Sequence, residues 1–234
     1  MIRLLAFALG LALASAVGAT GPKDMLDAAS SAVLKLRARD SDGSITKGSA
    51  VLVGSGKLVT NCHVISDAER IEVIRGEDAY VATLQAEYPS RDLCFLHAPA
   101  VTGLPPKYCP NVATGQRIFS ACFPSGGTLT IAEGRVVALY EHDGAKVIQG
   151  SAPFGPGCSG GALLDEQGHL VGITTFRKRT GGLYYFSLPT AWIESAPDSS
   201  EKQSAPSAAA FWQLTGDALP AFLRAMLVNT AATH

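Results

Sequence analysis

Gly157-Cys158-Ser159-Gly160-Gly161-Ala162-Leu163 sets one serine in a glycine-rich turn that opens into an apolar, strand-like run. Two upstream segments have similar surroundings: Thr60-Asn61-Cys62-His63-Val64-Ile65 and Arg91-Asp92-Leu93-Cys94-Phe95-Leu96. The chain thus offers a His, then an Asp, then a Ser, each beside short apolar runs. A serine hydroxyl is a poor nucleophile until a neighbouring base accepts its proton. A neutral imidazole does this near neutral pH, and a buried carboxylate fixes its tautomer and stabilises the imidazolium. His63 has the chemistry of the base, Asp92 of the orienting group and Ser159 of the nucleophile.

The glycines add a second function. A developing oxyanion needs backbone N–H groups aimed at one point. Gly157 and Ser159 supply two, across Cys158. A side chain at 157 or 160 crowds the substrate carbonyl or prevents the sharp turn. Each part alone has a plainer reading. A Gly-rich segment is often only a turn, a His after a strand is usually a surface or satisfied core residue, and Asp92 fits a strand-end cap. The conjunction in order and in strand context carries the argument. Gly157-Cys158-Ser159-Gly160-Gly161 also matches the G-x-S-x-G elbow of α/β-hydrolases. That fold needs alternating strands and helices, with Asp then His after the Ser. No such alternation of strands and helices is visible, so this reading is rejected.

Short strand-like runs recur through the chain. They include Ala32–Ala38, Gly48–Val53, Lys57–Thr60, Ile71–Ile74, Tyr80–Leu84 and Leu93–Leu96. After a connection over 99–110 with four prolines come Arg117–Cys122, Gly127–Glu133, Gly134–Leu139, Lys146–Gln149, Ala162–Leu164, Leu170–Thr175 and Leu183–Leu188. Many short strands with turn signals indicate an all-β sandwich or barrels. The proline-rich connection splits them into two groups. Residues 195–208 are Ser, Ala, Pro and charge and read as a linker. Beyond it, in a tail of residues 209–234, a helix is expected from Asp217 to about Val228. Pro220 stands in its first turn, and Leu219, Phe222, Leu223, Met226 and Leu227 share a face that docks on the protein's own barrel.

The chain has 234 residues, enough for one domain or two small subdomains. A formal net charge of −1 gives no global field favouring nucleic acid or an anionic membrane. Arg3, the apolar run Leu4–Leu13 and the small residues up to Ala19 read as a secretory signal over 1–19. The run is short for a transmembrane helix, which needs about 20 residues. The mature protein is therefore expected to begin near Thr20 in an oxidising compartment, periplasmic or secreted, without a membrane segment. There disulfides are favoured among Cys62, Cys94, Cys109, Cys122 and Cys158. The expected pairs are Cys62–Cys94 and Cys109–Cys122, with Cys158 free; buried free thiols are the alternative. The first pair closes 32 positions, worth roughly 3–4 kcal/mol in the chain-entropy model.

Together the three segments resemble the trypsin-like serine proteases, especially the bacterial HtrA/Deg-type branch. The resemblance covers roughly residues 30–193. It implies two six-stranded antiparallel β-barrels, chymotrypsin-like, at about 30–98 and 111–190 of a protease domain spanning 20–194. His63 and Asp92 come from the first barrel and Ser159 from the second. It also implies hydrolysis of a polypeptide substrate through an acyl-enzyme, with no metal or cofactor. Gly172-Ile173-Thr174-Thr175 and Phe186-Ser187-Leu188-Pro189 are similar to the strands lining the family's substrate pocket, with Thr175 where substrate backbone adds to an edge strand. Phe176 and Arg177 continue that edge.

The sequence departs from the family in places. Cys158 replaces the Asp that pairs with a new N-terminus in the digestive enzymes. Too few residues follow 193 for a PDZ-like domain. Pro153, six positions before Ser159, stands where a trypsin-like enzyme places an acidic residue, so cleavage after Lys or Arg is not expected. Phe154 predicts a shallow apolar pocket for small or medium side chains. Arg177, Lys178 and Arg179 read as a solvated hairpin tip, with acidic substrate residues as the alternative. A non-catalytic peptide-binding module and an esterase are the competing functions. A His base predicts loss of activity below about pH 6–7.

Overall fold

The period-two run Val33-Leu34-Lys35-Leu36-Arg37-Ala38 puts Leu34, Leu36 and Ala38 on one face, and all three are fully buried. The same alternation generates a closed barrel. The computed structural model describes residues 21–179, 183–196 and 209–231. The first barrel contains β1 (Val33–Asp40), β2 (Ile45–Gly54), β3 (Lys57–Thr60), β4 (Ala68–Arg75), β5 (Asp78–Tyr88) and β6 (Leu93–His97). Its spatial order is β1-β2-β3-β6-β5-β4, closed by β4 on β1. The second contains β7 (Arg117–Cys122), β8 (Thr130–His142), β9 (Ala145–Gly150), β10 (Ala162–Leu164), β11 (Leu170–Arg179) and β12 (Leu183–Pro189). Its order, β7-β8-β9-β12-β11-β10, repeats the same permutation and closes through β10 on β7.

Two registers position the site. Thr60 on β3 pairs with Cys94 on β6, so the residues just after β3 lie beside those just before β6. His63 and Asp92 thereby become neighbours. In the second barrel, Ala162 on β10 pairs with Ala121 on β7 and Ile173 on β11. The glycine-rich turn therefore enters β10 from the seam. Leu52, Leu58 and Leu96 fill the first barrel, while Val51, Val59 and Phe95 alternate outward into a core shared with Phe119, Ile173 and Phe186.

The helices differ from the expected ones. An unexpected helix, α1 (Pro22–Ser30), precedes β1. The Asp24 carboxylate accepts the Gly21 N–H at its start, and Met25 and Ala29 pack into the shared core. The short α2 (Ala191–Glu194) follows β12 and buries Trp192. The final helix, α3 (Ala221–Ala231), begins later than Asp217. The residue before a proline disfavours helix; Leu219 is extended, and Gly216–Ala218 form a separate 3-10 turn. Leu219 and Leu223 are buried, and Phe222 stacks on Tyr140 of β8 at 4.6 Å. Where two strands were expected across 127–139, β8 is continuous, with a register shift between Val136 and Ala138. The segment 1–19 expected as a secretory signal and nearly all of the expected linker lie outside the described residues.

Cys62 is bonded to Cys94. The expected Cys109–Cys122 pair is corrected: Cys122 is bonded to Cys158, and Cys109 is the free cysteine. The sheet explains this. Cys109 N–H donates to Leu170, Leu170 pairs with Leu164, and Leu164 pairs with Phe119. Cys122 is three positions further along β7, roughly 10 Å at about 3.3 Å per residue. A disulfide spans at most about 7 Å between Cα atoms. Burial, with Asp165 nearby, pushes the Cys109 thiol above its ordinary pKa and keeps it protonated.

Candidate functional site

Asp92 is the residue on which the site converges. It has a left-handed backbone (φ 57°), a conformation that Asp tolerates better than most residues. Its carbonyl accepts Asn61 Nδ2 at 2.9 Å, tying the start of β6 to the segment after β3. Its carboxylate is 1% exposed. Oδ1 accepts the His63 backbone N–H at 3.0 Å, and Oδ2 lies 2.7 Å from His63 Nδ1. Oδ2 also accepts Thr175 Oγ1 from the second barrel at 2.8 Å and Trp212 Nε1 at 3.2 Å. These donors fix the buried carboxylate in orientation. The paired imidazole presents Nδ1 to the carboxylate and leaves Nε2 for another partner.

Ser159 sits in the seam. Its carbonyl accepts the Ser49 N–H at 2.8 Å, and its hydroxyl donates to the Thr175 carbonyl at 3.1 Å. Among the described residues no hydrogen bond joins Ser159 to His63. The Gly157 and Ser159 N–H groups likewise have no hydrogen-bond partner among the described residues. Two free donors flank Cys158, whose side chain is anchored through its disulfide to the end of β7. Gly157 and Gly160 have φ near 85°. A Cβ at 160 meets the Ser49 carbonyl at 2.1 Å, and one at 157 meets the Ser125 nitrogen at 2.5 Å. The turn requires glycine because of the opposing backbone.

Ser49 had no local signal in the sequence, yet it joins the two barrels. It is fully buried. Its hydroxyl donates to the Gly157 carbonyl at 2.9 Å and accepts the Phe123 N–H at 3.0 Å. Its carbonyl accepts Thr60 Oγ1 at 2.8 Å. Trp212 was also missed; its one signal was an aromatic pair, Phe211-Trp212, directly after an alanine run.

The expected substrate-side residues divide into two groups. β10 reaches only Ile173 on β11, so among the described residues Thr175–Arg179 has β12 on one side and an open edge on the other. Pro153 is exposed and offers its carbonyl to Ser120 Oγ at 3.1 Å, while Phe154 packs against Tyr185 and the Cys122–Cys158 bridge. Phe176 turns away from the edge, sandwiched between Phe186 and Trp212 at 4.6 and 5.0 Å. Arg177 and Arg179 are exposed; burial pulls Lys178 below its ordinary pKa. A cavity of about 540 Å³ opens beside His63, bordered by Leu84, Glu87, Pro89, Ala210 and Gln213.

The family model of the trypsin-like peptidase domain matches residues 48–173, more than half of the chain. The chain belongs to this family. Uncharacterized protein y4bJ of Sinorhizobium fredii is 30% identical over 194 residues, 68% of this chain and 31% of its own length. The chain also spans 36% of the length of serine protease Rv3671c from Mycobacterium tuberculosis, so it corresponds to about a third of these relatives. The solved HtrA-type protease AlgW with tripeptide is 28% identical, with a TM-score of 0.67 over 74% of this chain and 60% of that chain. The active form of Rv3671c aligns at a TM-score of 0.70 over 86% of this chain and 99% of that one. At 20% identity it is a likeness of fold. His63, Asp92 and Ser159 lie within the matched region, whereas Trp212 lies beyond it.

Proposed function

We propose that this protein is an exported serine endopeptidase that cleaves peptide bonds through an acyl-enzyme, with His63, Asp92 and Ser159 as its triad. The observation carrying this reading is the 2.7 Å contact of His63 with buried Asp92, joined through Thr175 to a serine whose own N–H and that of Gly157 are unpartnered among the described residues. In the reaction the Ser159 hydroxyl turns from the Thr175 carbonyl to His63 Nε2. Its proton passes to the imidazole as Oγ attacks the substrate carbonyl. The oxyanion takes the Gly157 and Ser159 N–H groups. The intermediate collapses when His63 returns the proton to the leaving amine. Water, deprotonated by the same imidazole, then releases the acid and restores the hydroxyl. Asp92 holds the ring in place through Nδ1.

The open edge Thr175–Arg179 suits a substrate held as an added strand. Phe154 against Tyr185 makes a shallow apolar floor, suited to small or medium apolar side chains. Two disulfides support an oxidising compartment, with 1–19 as leader and 20–194 as the protease domain. Incubation with an unfolded polypeptide, followed by mass spectrometry of the fragments, is expected to reveal new termini that vanish in Ser159→Ala. Cleavage by a folded Ser159→Ala protein refutes the assignment. One observation favours a second reading, a peptide-binding module: the serine hydroxyl rests on Thr175 and not on His63. Saturable peptide binding without any cleavage supports that alternative.

A further inference from the structure

The site is completed from outside the family region. Trp212 belongs to the segment that follows the linker, yet its indole N–H reaches the one buried carboxylate oxygen that also holds His63 Nδ1 and Thr175 Oγ1. Its ring meets the imidazole edge to face, centroids 5.4 Å apart at 85°. Nothing about filling a core requires an indole N–H to point at this oxygen; a ring that only packed would be indifferent to where its donor lies.

The segment is built in at several points. Phe211 N–H donates to the Ser90 carbonyl at 3.0 Å, two residues before Asp92. The Phe211 ring is 3% exposed, and Gln213 Oε1 accepts the Ala210 N–H at 3.1 Å. Trp212 stacks on Phe176, the residue after Thr175, and Phe176 stacks on Phe186. Three parallel rings thus connect the second barrel to the Asp92 carboxylate.

We propose that Trp212 is a positioning residue of the hydrolytic site: its N–H shares the charge on Asp92 Oδ2, and its ring fixes the plane of His63. This rests on the hydrolase reading above. With three donors on one oxygen, less of the carboxylate charge acts on the Nδ1 proton. Removing the indole donor concentrates that charge on Nδ1–H and favours the imidazolium. The acid limb of the rate profile then moves to higher pH. Loss of packing alone slows the reaction without moving the limb.

The test measures the rate of fluorophosphonate labelling against pH for the full protein and for Trp212→Phe. A second variant replaces Trp212 by 3-benzothienylalanine, which has sulfur where the indole has N–H and almost the same shape. In both, the acid limb is expected to rise by about half a pH unit and the plateau rate to fall roughly threefold to tenfold. An unmoved limb overturns the proposal, whether or not the rate falls. The downfield proton resonance of His63 Nδ1–H is recorded on the same samples, and its position is expected to change in the benzothienyl variant. If the unsubstituted protein is not labelled, the hydrolase reading fails. The resonance then decides on the tie itself, and an unchanged position overturns it.

Discussion

Ser49→Ala removes one oxygen from a fully buried position and two hydrogen bonds with it. The partners are backbone groups of different loops, the Gly157 carbonyl at 2.9 Å and the Phe123 N–H at 3.0 Å. Neither can re-pair with alanine. A backbone polar group left without its partner costs about 1–3 kcal/mol, and both contacts are partly buried, so the pair costs about 2–4 kcal/mol. The kinetic effect is separate. The lost donor holds the Gly157 carbonyl and so sets the peptide plane just after the Gly157 N–H, one of the two proposed oxyanion donors. Full loss of such a donor costs about 3–4 kcal/mol of transition-state stabilisation; a loosened one is expected to cost about half, or roughly 10–30-fold in rate. Denaturant unfolding measures the first effect and fluorophosphonate labelling, well below the unfolding midpoint, the second. Stability and labelling rate both unchanged within error would refute the claim that Ser49 holds the turn.

Reduction of Cys122–Cys158 is expected to slow Ser159 labelling, because the cross-link ties the residue before the nucleophile to β7. The loop closes 36 positions, so its loss costs roughly 3–4 kcal/mol of stability in the chain-entropy model; paired Cys122→Ser and Cys158→Ser variants measured by unfolding check this. His142 packs under the tail against Phe211, Trp192 and Phe222, and burial pulls its pKa below the ordinary value; Asp143 opposes that shift and Arg91 adds to it. The unfolded chain then takes up the proton first. The docked tail keeps its full stability above the ordinary histidine pKa of about 6.5 and loses it as pH falls through and below that value. The protection factors of Leu223 and neighbouring α3 amides, with exchange corrected for its intrinsic pH dependence, are expected to fall between pH 7 and about pH 5, and less so in His142→Phe; an equal fall in both removes His142 from the account.

What the sequence made legible was local. His63, Asp92 and Ser159 each sit in a short segment whose strand, turn and glycine pattern can be read without knowing its neighbours. The barrel strands follow from period-two burial in the same way. The partners that complete the site are separated by long stretches of chain. Ser49 meets Gly157 across 108 positions, and Trp212 meets Asp92 across 120. No window of sequence contains such a pair. The expected Cys109–Cys122 pair failed for the same reason, since the β7-β10-β11 register that places Cys109 away from Cys122 is a property of barrel closure. Helix α1 was missed because its apolar face amounts to little more than Met25 and Ala29, too small a pattern to stand out beside the strand that follows.

The central claim is that Ser159 is a nucleophile activated by His63. Labelling of the purified protein with a fluorophosphonate, with the adduct located by mass spectrometry, tests it most directly. The account predicts a single adduct on Ser159, absent from a folded His63→Ala protein. An unlabelled Ser159 in the folded, unsubstituted protein, or an adduct that persists without His63, contradicts it.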